Sequence, residues 1–326
     1  MNNLNFIFDR NADFLHLIDN LSGWSKFVKI NDKNQYLEVS SINQKDEKML
    51  KIYAMAREKL KWPNEIALFK WASDGFTLDA FEKNIEKDID KQSLYDDLKG
   101  VIDYFKVKDE LVEFARKRYD GVLANKELVL EESKSIKIGL EKSMKIIEVF
   151  GENNINMSLP IYIFSGHGRS FGGGANGNGI YIKVDIEPAS RDLIKARMVV
   201  AVHELIHKML NVRNKVSSYR DIMSNDIKEK IDEALNEKMI KDKTELGIME
   251  EIIVYTLAEV YQGKKDINKT IKRYEESQKR DDLIRIWRGI KILKPLFDRF
   301  MAGEITKEEF VKSFLSKYFE KVYKSK

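Results

Sequence analysis

Apolar residues recur at intervals of three and four through much of the first 150 residues, which is the spacing of helices with one buried face. Charged residues fill the positions between them and indicate the exposed faces of these helices. Before them, a β-hairpin is predicted over residues 24–40, with NDKN as its turn. The clearest helical spacing lies in DEKMLKIYAMAREKL, FEKNIEKDIDKQSLYDDLKGVIDYF and KSIKIGLEKSMKIIEVF.

The pattern changes at GENNINM (151–157), a turn-rich stretch that follows the last of these helices. Two strands are predicted after it, LPIYIFS (159–165) and GIYIKVDI (179–186). In the second, apolar and polar residues alternate, which is the period of a strand with one buried face. The two strands could pair as a hairpin or lie apart in one sheet.

Helical spacing returns after Ser190, a residue type favoured at the N-cap, and continues to the end of the chain. Thr306 and Glu309, three residues apart, predict a capping box at the start of the last helix. We therefore predict a predominantly α-helical α+β protein. A helical N-terminal domain is expected over residues 1–150, and a second domain with a small β-sheet over residues 151–326.

The composition of the chain excludes several classes of partner and of site. Hydrophobic residues make up 43% of the 326 residues and charged residues 34%, which is typical of a globular protein. The 57 basic and 53 acidic residues are interspersed, so no nucleic-acid partner is expected. The absence of cysteine excludes disulfides and thiolate zinc sites. Without a signal peptide or an apolar run long enough to span a membrane, the expected location is cytoplasmic.

The stretch VVAVHELIHKML (199–210) carries two of the four histidines. On a helix, His203 and His207 lie about 40° apart on one face, so both imidazoles can reach one metal ion. Glu204 lies beside that face, where it can contact a metal-bound water. The rest of the helix is apolar, and burying three polar residues there is costly unless they line a cleft or bind a ligand. The sequence therefore predicts one zinc ion per chain. His16, in FLHLID, is expected to be a partly buried helix residue or a core residue.

HELIH on an apolar helix, after an extended strand, resembles the zincin metallopeptidases. The resemblance implies a peptide or protein substrate, a zinc-activated water and Glu204 as general base. It also implies an edge strand that aligns the substrate, a role for which GIYIKVDI is suitably placed. The third histidine of the metzincins is absent, so the resemblance is to the glutamate-liganded branch, the gluzincins.

The expected third ligand lies in GIMEEIIVYTLAEVY (247–261). The paired glutamates resemble those of clostridial neurotoxin light chains, whose pattern selects Glu250, and Glu250 also falls on the apolar arc of this helix. The pattern of thermolysin-like enzymes selects Glu251 instead. Glu250 is the favoured ligand, with Glu251 as the alternative ligand or as a hydrogen-bond partner of a zinc-bound histidine.

The group that would stabilise the oxyanion is left open by the sequence. Tyr255 and His167 are the main candidates, and His167 lies in SGHGRSFGGGANGNG (165–179), either a simple connection or a loop that closes over substrate. Tyr261, Arg273 and Tyr274 are further candidates.

Two other functions remain beside a general zinc metallopeptidase. One is a toxin-like or effector-like endopeptidase with a single protein target. The other is a catalytically silent zincin-fold protein with an interaction or regulatory role. Glu204 favours an enzyme, because a binding module has no evident use for a general base.

Overall fold

A computed structural model of the chain describes residues 4–24, 34, 36–38, 40–60, 65–85, 90–151, 159–166, 173–176, 179–185, 189–237, 244–262, 267–277 and 281–323. Its contacts divide the chain into two compact units. The first comprises Met1–Lys134 and Met157–Glu204, and the second comprises Ser135–Asn156 and Leu205–Lys326. The predicted division into domains over residues 1–150 and 151–326 stays a prediction.

The first unit combines helices with the strands of one sheet. Its helices are α1 (Arg10–Ser22), α2 (Gln44–Leu60), α3 (Glu65–Ser73), α4 (Leu78–Asn84), α5 (Lys91–Lys106) and α6 (Asp109–Ala124). Its strands are β1 (Asn5–Ile7), β2 (Pro160–Gly166), β3 (Gly173–Asn176) and β4 (Gly179–Asp185). Helices α7 (Lys126–Phe150) and α8 (Arg191–Met209) begin in this unit and end in the second. The predicted class, α+β with mostly helix, is confirmed.

The sheet has the strand order β1-β2-β4-β3 among the described residues. Strands β1, β2 and β4 are parallel, with Ile163 of β2 opposite Ile182 of β4, and β3 is antiparallel to β4. Both predicted strands are therefore confirmed, and they are parallel neighbours rather than a hairpin. The expectation that GIYIKVDI forms the edge strand is wrong, because part of the glycine-rich segment, β3, pairs outside it.

The hairpin predicted over residues 24–40 is not formed in the part of this range that the structure describes. Asn34 and residues 36–38 are helical, while residues 25–33, 35 and 39 lie outside the described residues. Tyr36 is buried, with its ring 5.4 Å from that of Phe114. The hairpin prediction depended on the turn signal NDKN, which carries no information on this contact between residues far apart in the chain.

Helix α1 buries polar as well as apolar residues at the end of strand β2. The N–H and Oγ of Ser165 donate to Asp13 Oδ1 at 2.8 Å, and Arg118 Nη2 donates to the Ser165 carbonyl at 3.3 Å. Strand β1 pairs with β2 only as far as Tyr162. Asp13 and Arg118 thus satisfy the backbone groups of Ser165 that a longer β1 would have paired. These hydrogen bonds explain why both charged side chains are buried.

The second unit is helical in its described residues. After the ends of α7 and α8 it contains α9 (Val212–Tyr219), a 3₁₀ turn (Arg220–Ile222), α10 (Asn225–Asn236), α11 (Glu245–Gln262), α12 (Ile267–Ser277), α13 (Asp281–Met301) and α14 (Lys307–Lys321). Its core includes a cluster of phenylalanine rings from α7, α13 and α14: Phe150, Phe297, Phe310 and Phe314. The predicted capping box of Thr306 and Glu309 is confirmed. Within the described ranges, no helix combines the length and apolar character needed to cross a bilayer.

Candidate metal centre

Helix α8 carries the HELIH motif and is fixed at both ends. At its start, the Leu193 N–H donates to Ser190 Oγ at 3.3 Å, as predicted for an N-cap. At its end, the Asn211 N–H donates to the Phe150 carbonyl at the end of α7, at 2.8 Å. Gly151 approaches so closely that an added Cβ would lie 2.2 Å from the Met209 carbonyl oxygen. The close contact requires glycine and sets the position of the last turn of α8, which contains His207.

The three polar residues of the motif share one side of α8. His203, Glu204 and His207 are partly exposed, whereas Val202, Leu205 and Ile206 are buried. The apolar sides of the helix therefore face the core and the motif lies on the remaining side. This is the arrangement expected for side chains that line a cleft.

His207 lies against both glutamates of helix α11. Its Nδ1 donates to Glu250 Oε1 at 2.6 Å, and its Nε2 is 3.8 Å from Glu251 Oε2. Glu250 and Glu251 differ by about 100° around their helix, so the imidazole lies between the two carboxylates. Burial lowers the pKa of His207, but the hydrogen bonds to Glu250 and Glu251 outweigh it and raise that pKa to about 9.

His203, His207 and Glu251 form a group that can hold a metal ion. One ligand atom from each residue lies within 4.8 Å of the others. In tetrahedral zinc sites with bonds of about 2.0–2.1 Å, ligand atoms lie about 3.4 Å apart, so modest closure around an ion would complete the geometry. Two imidazoles and one carboxylate are also the donor set of catalytic zinc sites that keep a fourth position open. The residues present therefore fit zinc.

The structure brings Glu251, rather than the favoured Glu250, into this group. Glu250 bonds the Nδ1 atom of His207, while the Nε2 atom faces Glu251. A carboxylate on the far ring nitrogen of a metal-binding histidine fixes the orientation of that ring. The arrangement thus fits the alternative in which Glu251 is the third ligand, and Glu250 takes the hydrogen-bonding role that was expected of Glu251.

The structure describes only some of the other predicted site residues. Tyr255 follows Glu251 by about one helical turn, and its ring lies 5.5 Å from that of Trp287 on α13. His167 and the side chains of Tyr261, Arg273 and Tyr274 lie outside the described residues. His16 is a buried core residue as predicted, stacked on Phe164 at 4.6 Å, and burial lowers its pKa well below the usual value.

Comparison of the chain with protein-family models, with curated proteins and with solved structures finds no match. The case for a function therefore depends on the residues of this site and their geometry.

Proposed function

We propose that the protein is a zinc-dependent metallopeptidase of the glutamate-liganded zincin type. The observation that supports it most directly is the convergence of His203, His207 and Glu251, with HELIH contributing the first two. Residues from two helices distant in sequence have to meet for this group to form. Such convergence of two imidazoles and a carboxylate on a partly exposed helix face is expected of a metal site.

Each residue then has a definite task. His203 and His207 would supply two nitrogen ligands and Glu251 an oxygen ligand. A zinc ion held by these residues would leave a position for water and would lower the pKa of that water toward about 7. Glu204 follows His203 directly and is partly exposed, so its carboxylate can accept a proton at that position and pass it to the leaving amine.

Glu250 would act on His207 rather than on the ion. By accepting a hydrogen bond from Nδ1 it holds the ring in one orientation and leaves Nε2 for the metal. It also raises the basicity of Nε2, which strengthens the bond to a cation.

Metal content and peptide hydrolysis together test the proposal. Untagged protein should contain about one zinc per chain by mass spectrometry, and H207A should lose it because one ligand is removed. A library of peptides from a digested proteome, analysed for new termini, should be cleaved by wild type and not by H207A. The control is H16A, which removes a buried histidine outside the proposed site and, as long as it folds, should keep both the zinc and the cleavage.

Three results would change the conclusion. No zinc in the wild type, even after reconstitution, would contradict the proposal. Zinc without cleavage of any peptide or protein would favour the silent interaction protein. Cleavage of one protein target, with the peptide library intact, would favour the effector-like endopeptidase.

Zinc affinity should rise steeply with pH. In the metal-free protein the pKa of His207 is raised to about 9, so below that pH a proton must leave before Nε2 can bind zinc. Each pH unit below 9 then weakens binding about tenfold, or about 100-fold between pH 8 and pH 6. Titrations against a chelator of known pH dependence measure this directly.

The proton on His207 also affects the stability of the metal-free protein. This stability should fall as the pH increases, whereas the zinc affinity should rise. A raised pKa means that the imidazolium stabilises the folded state below about pH 6.5, and that this contribution is lost as the pH rises through about 9.

E250Q removes one carboxylate and should move the steep part of the zinc titration to lower pH. A wild-type zinc affinity that stays constant from pH 6 to pH 8 would contradict the ion pair of His207 with these glutamates.

A further inference from the structure

Among the contacts of helix α13 with α11, two lie on either side of Glu250 and Glu251 in the sequence of α11. The first is Glu245, the first residue of α11, which contacts Arg285. The second is Ile252, which directly follows Glu251 and contacts Gly289. Arg285 and Gly289 are one helical turn apart on α13. The two glutamates near His207 therefore lie between two contacts with a single neighbouring helix.

The contact at Glu245 is a buried network of charged and polar groups. Arg285 Nη2 donates to Glu245 Oε2 at 2.6 Å and to the Val322 carbonyl at 3.1 Å. The hydroxyl of Tyr318 donates to the Glu245 carbonyl at 2.6 Å, and the Glu245 N–H donates to Glu237 Oε2 at 2.7 Å. The Glu245 side chain is only 10% exposed. Backbone and side chain of this one residue are held from several directions, which fixes the first turn of α11.

The contact at Ile252 is a close approach of two helices. A Cβ added to Gly289 would lie 2.3 Å from Ile252 Cδ1 and 3.0 Å from its Cγ1. Ile252 is fully buried, so its side chain has little room to move aside. Glycine inside a helix is unfavourable relative to alanine. Its presence here is explained by the separation of α11 and α13, which a larger residue would increase.

These contacts also bear on the position of α11. A buried ion pair adds little net stability compared with apolar side chains of similar size, but it specifies one geometry for the groups that it joins. Glu251 is six residues from Glu245, about 9 Å along the helix, and is adjacent to Ile252. A change in the position or rotation of α11 at either contact would move the carboxylates relative to His207.

We propose that Arg285 and Gly289 are positioning residues that hold Glu250 and Glu251 against His207 and thereby set the metal affinity of the site. This inference depends on the proposed metal centre. Neither residue lies among the proposed ligands, so each acts through α11.

The test uses the full-length protein with R285M and G289A, and R285K as a variant that keeps the charge. Zinc and cobalt(II) affinities are measured by competition with a chelator, and the visible absorption of the cobalt form reports the ligand geometry. We expect R285M and G289A to bind each metal about tenfold more weakly or worse, in the range seen when partners of metal ligands are removed. Their cobalt spectra should change, and R285K should bind more tightly than R285M.

Two controls separate positioning from stability. R288M changes an exposed arginine on the same helix, paired with Glu275, and should leave affinity and spectrum unchanged. F310L lowers the stability of the same unit at a distance from α11 in sequence, and should lower the melting temperature without changing the cobalt spectrum. Wild-type affinity and spectrum in folded R285M and G289A would overturn the inference while the proposed function stands. Failure of the wild type to bind either metal would overturn the proposed function itself.

Discussion

Replacing Glu204 by glutamine is expected to abolish peptide hydrolysis while zinc stays bound. Glutamine has nearly the shape of glutamate but cannot accept the proton that leaves the attacking water. General-base catalysis by a positioned side chain contributes about 10²–10⁴-fold, so E204Q should lose at least this factor in kcat. The proposed ligands His203, His207 and Glu251 are unchanged, so the zinc content should equal that of the wild type.

The measurement combines zinc content with single-turnover hydrolysis of a peptide that the wild type cleaves. D192N is the matched control, because it makes the same carboxylate-to-amide change at an exposed position in the first turn of α8. D192N should retain wild-type kcat. Wild-type turnover in zinc-loaded E204Q would show that Glu204 is not the base. A parallel loss of zinc and activity in E204Q would instead assign it a role in binding the metal.

The HELIH helix could be predicted in detail because its information is local. The apolar pattern over residues 199–210, the N-cap Ser190 and the four-residue histidine spacing all belong to one continuous helix. A helix determines the relative placement of residues four apart whatever it packs against. The strands β2 and β4 and the capping box of Thr306 were predictable for the same reason.

The choice between Glu250 and Glu251 was not local. Both positions lie on α11, and the sequence does not fix the rotation of α11 about its own axis relative to α8. That rotation depends on contacts such as Gly289 with Ile252 and Arg285 with Glu245, which join residues far apart in the chain. A glycine inside the otherwise helical α13 pattern was the one visible signal of a close helix approach.

The order of the sheet also depended on distant contacts. Glycine-rich segments have weak strand propensity, so β3 was not expected within residues 165–179. Its pairing with β4 places the alternating strand inside the sheet instead of at its edge. In the described part of residues 24–40, where a hairpin was expected, residues 36–38 are helical and Tyr36 is buried against Phe114, a contact between residues far apart in the chain.

Replacing Arg57 by alanine is expected to cost the first unit about 3–5 kcal/mol of unfolding free energy, the range for breaking a buried ion pair from one side. Arg57 is fully buried on α2, and its Nε donates to Asp19 Oδ1 at 2.7 Å. Its guanidinium also lies over the ring of Trp24, at 4.2 Å from the centroid. Tyr53 donates to the same Asp19 oxygen at 2.8 Å, so one of two strong partners of a buried carboxylate would be lost.

Urea denaturation followed by tryptophan fluorescence measures the change, since Trp24 and Trp71 both lie in this unit. R116A is the control, because Arg116 forms an exposed pair with Glu113 that should contribute no measurable stability. A combined R57M and D19N variant removes both charges, keeps an acceptor for the Tyr53 hydroxyl and should recover most of the loss. Recovery in the double variant would show that the cost of R57A is the unpaired charge of Asp19. An unchanged urea midpoint in R57A would instead show that this carboxylate binds water or another donor when Arg57 is absent.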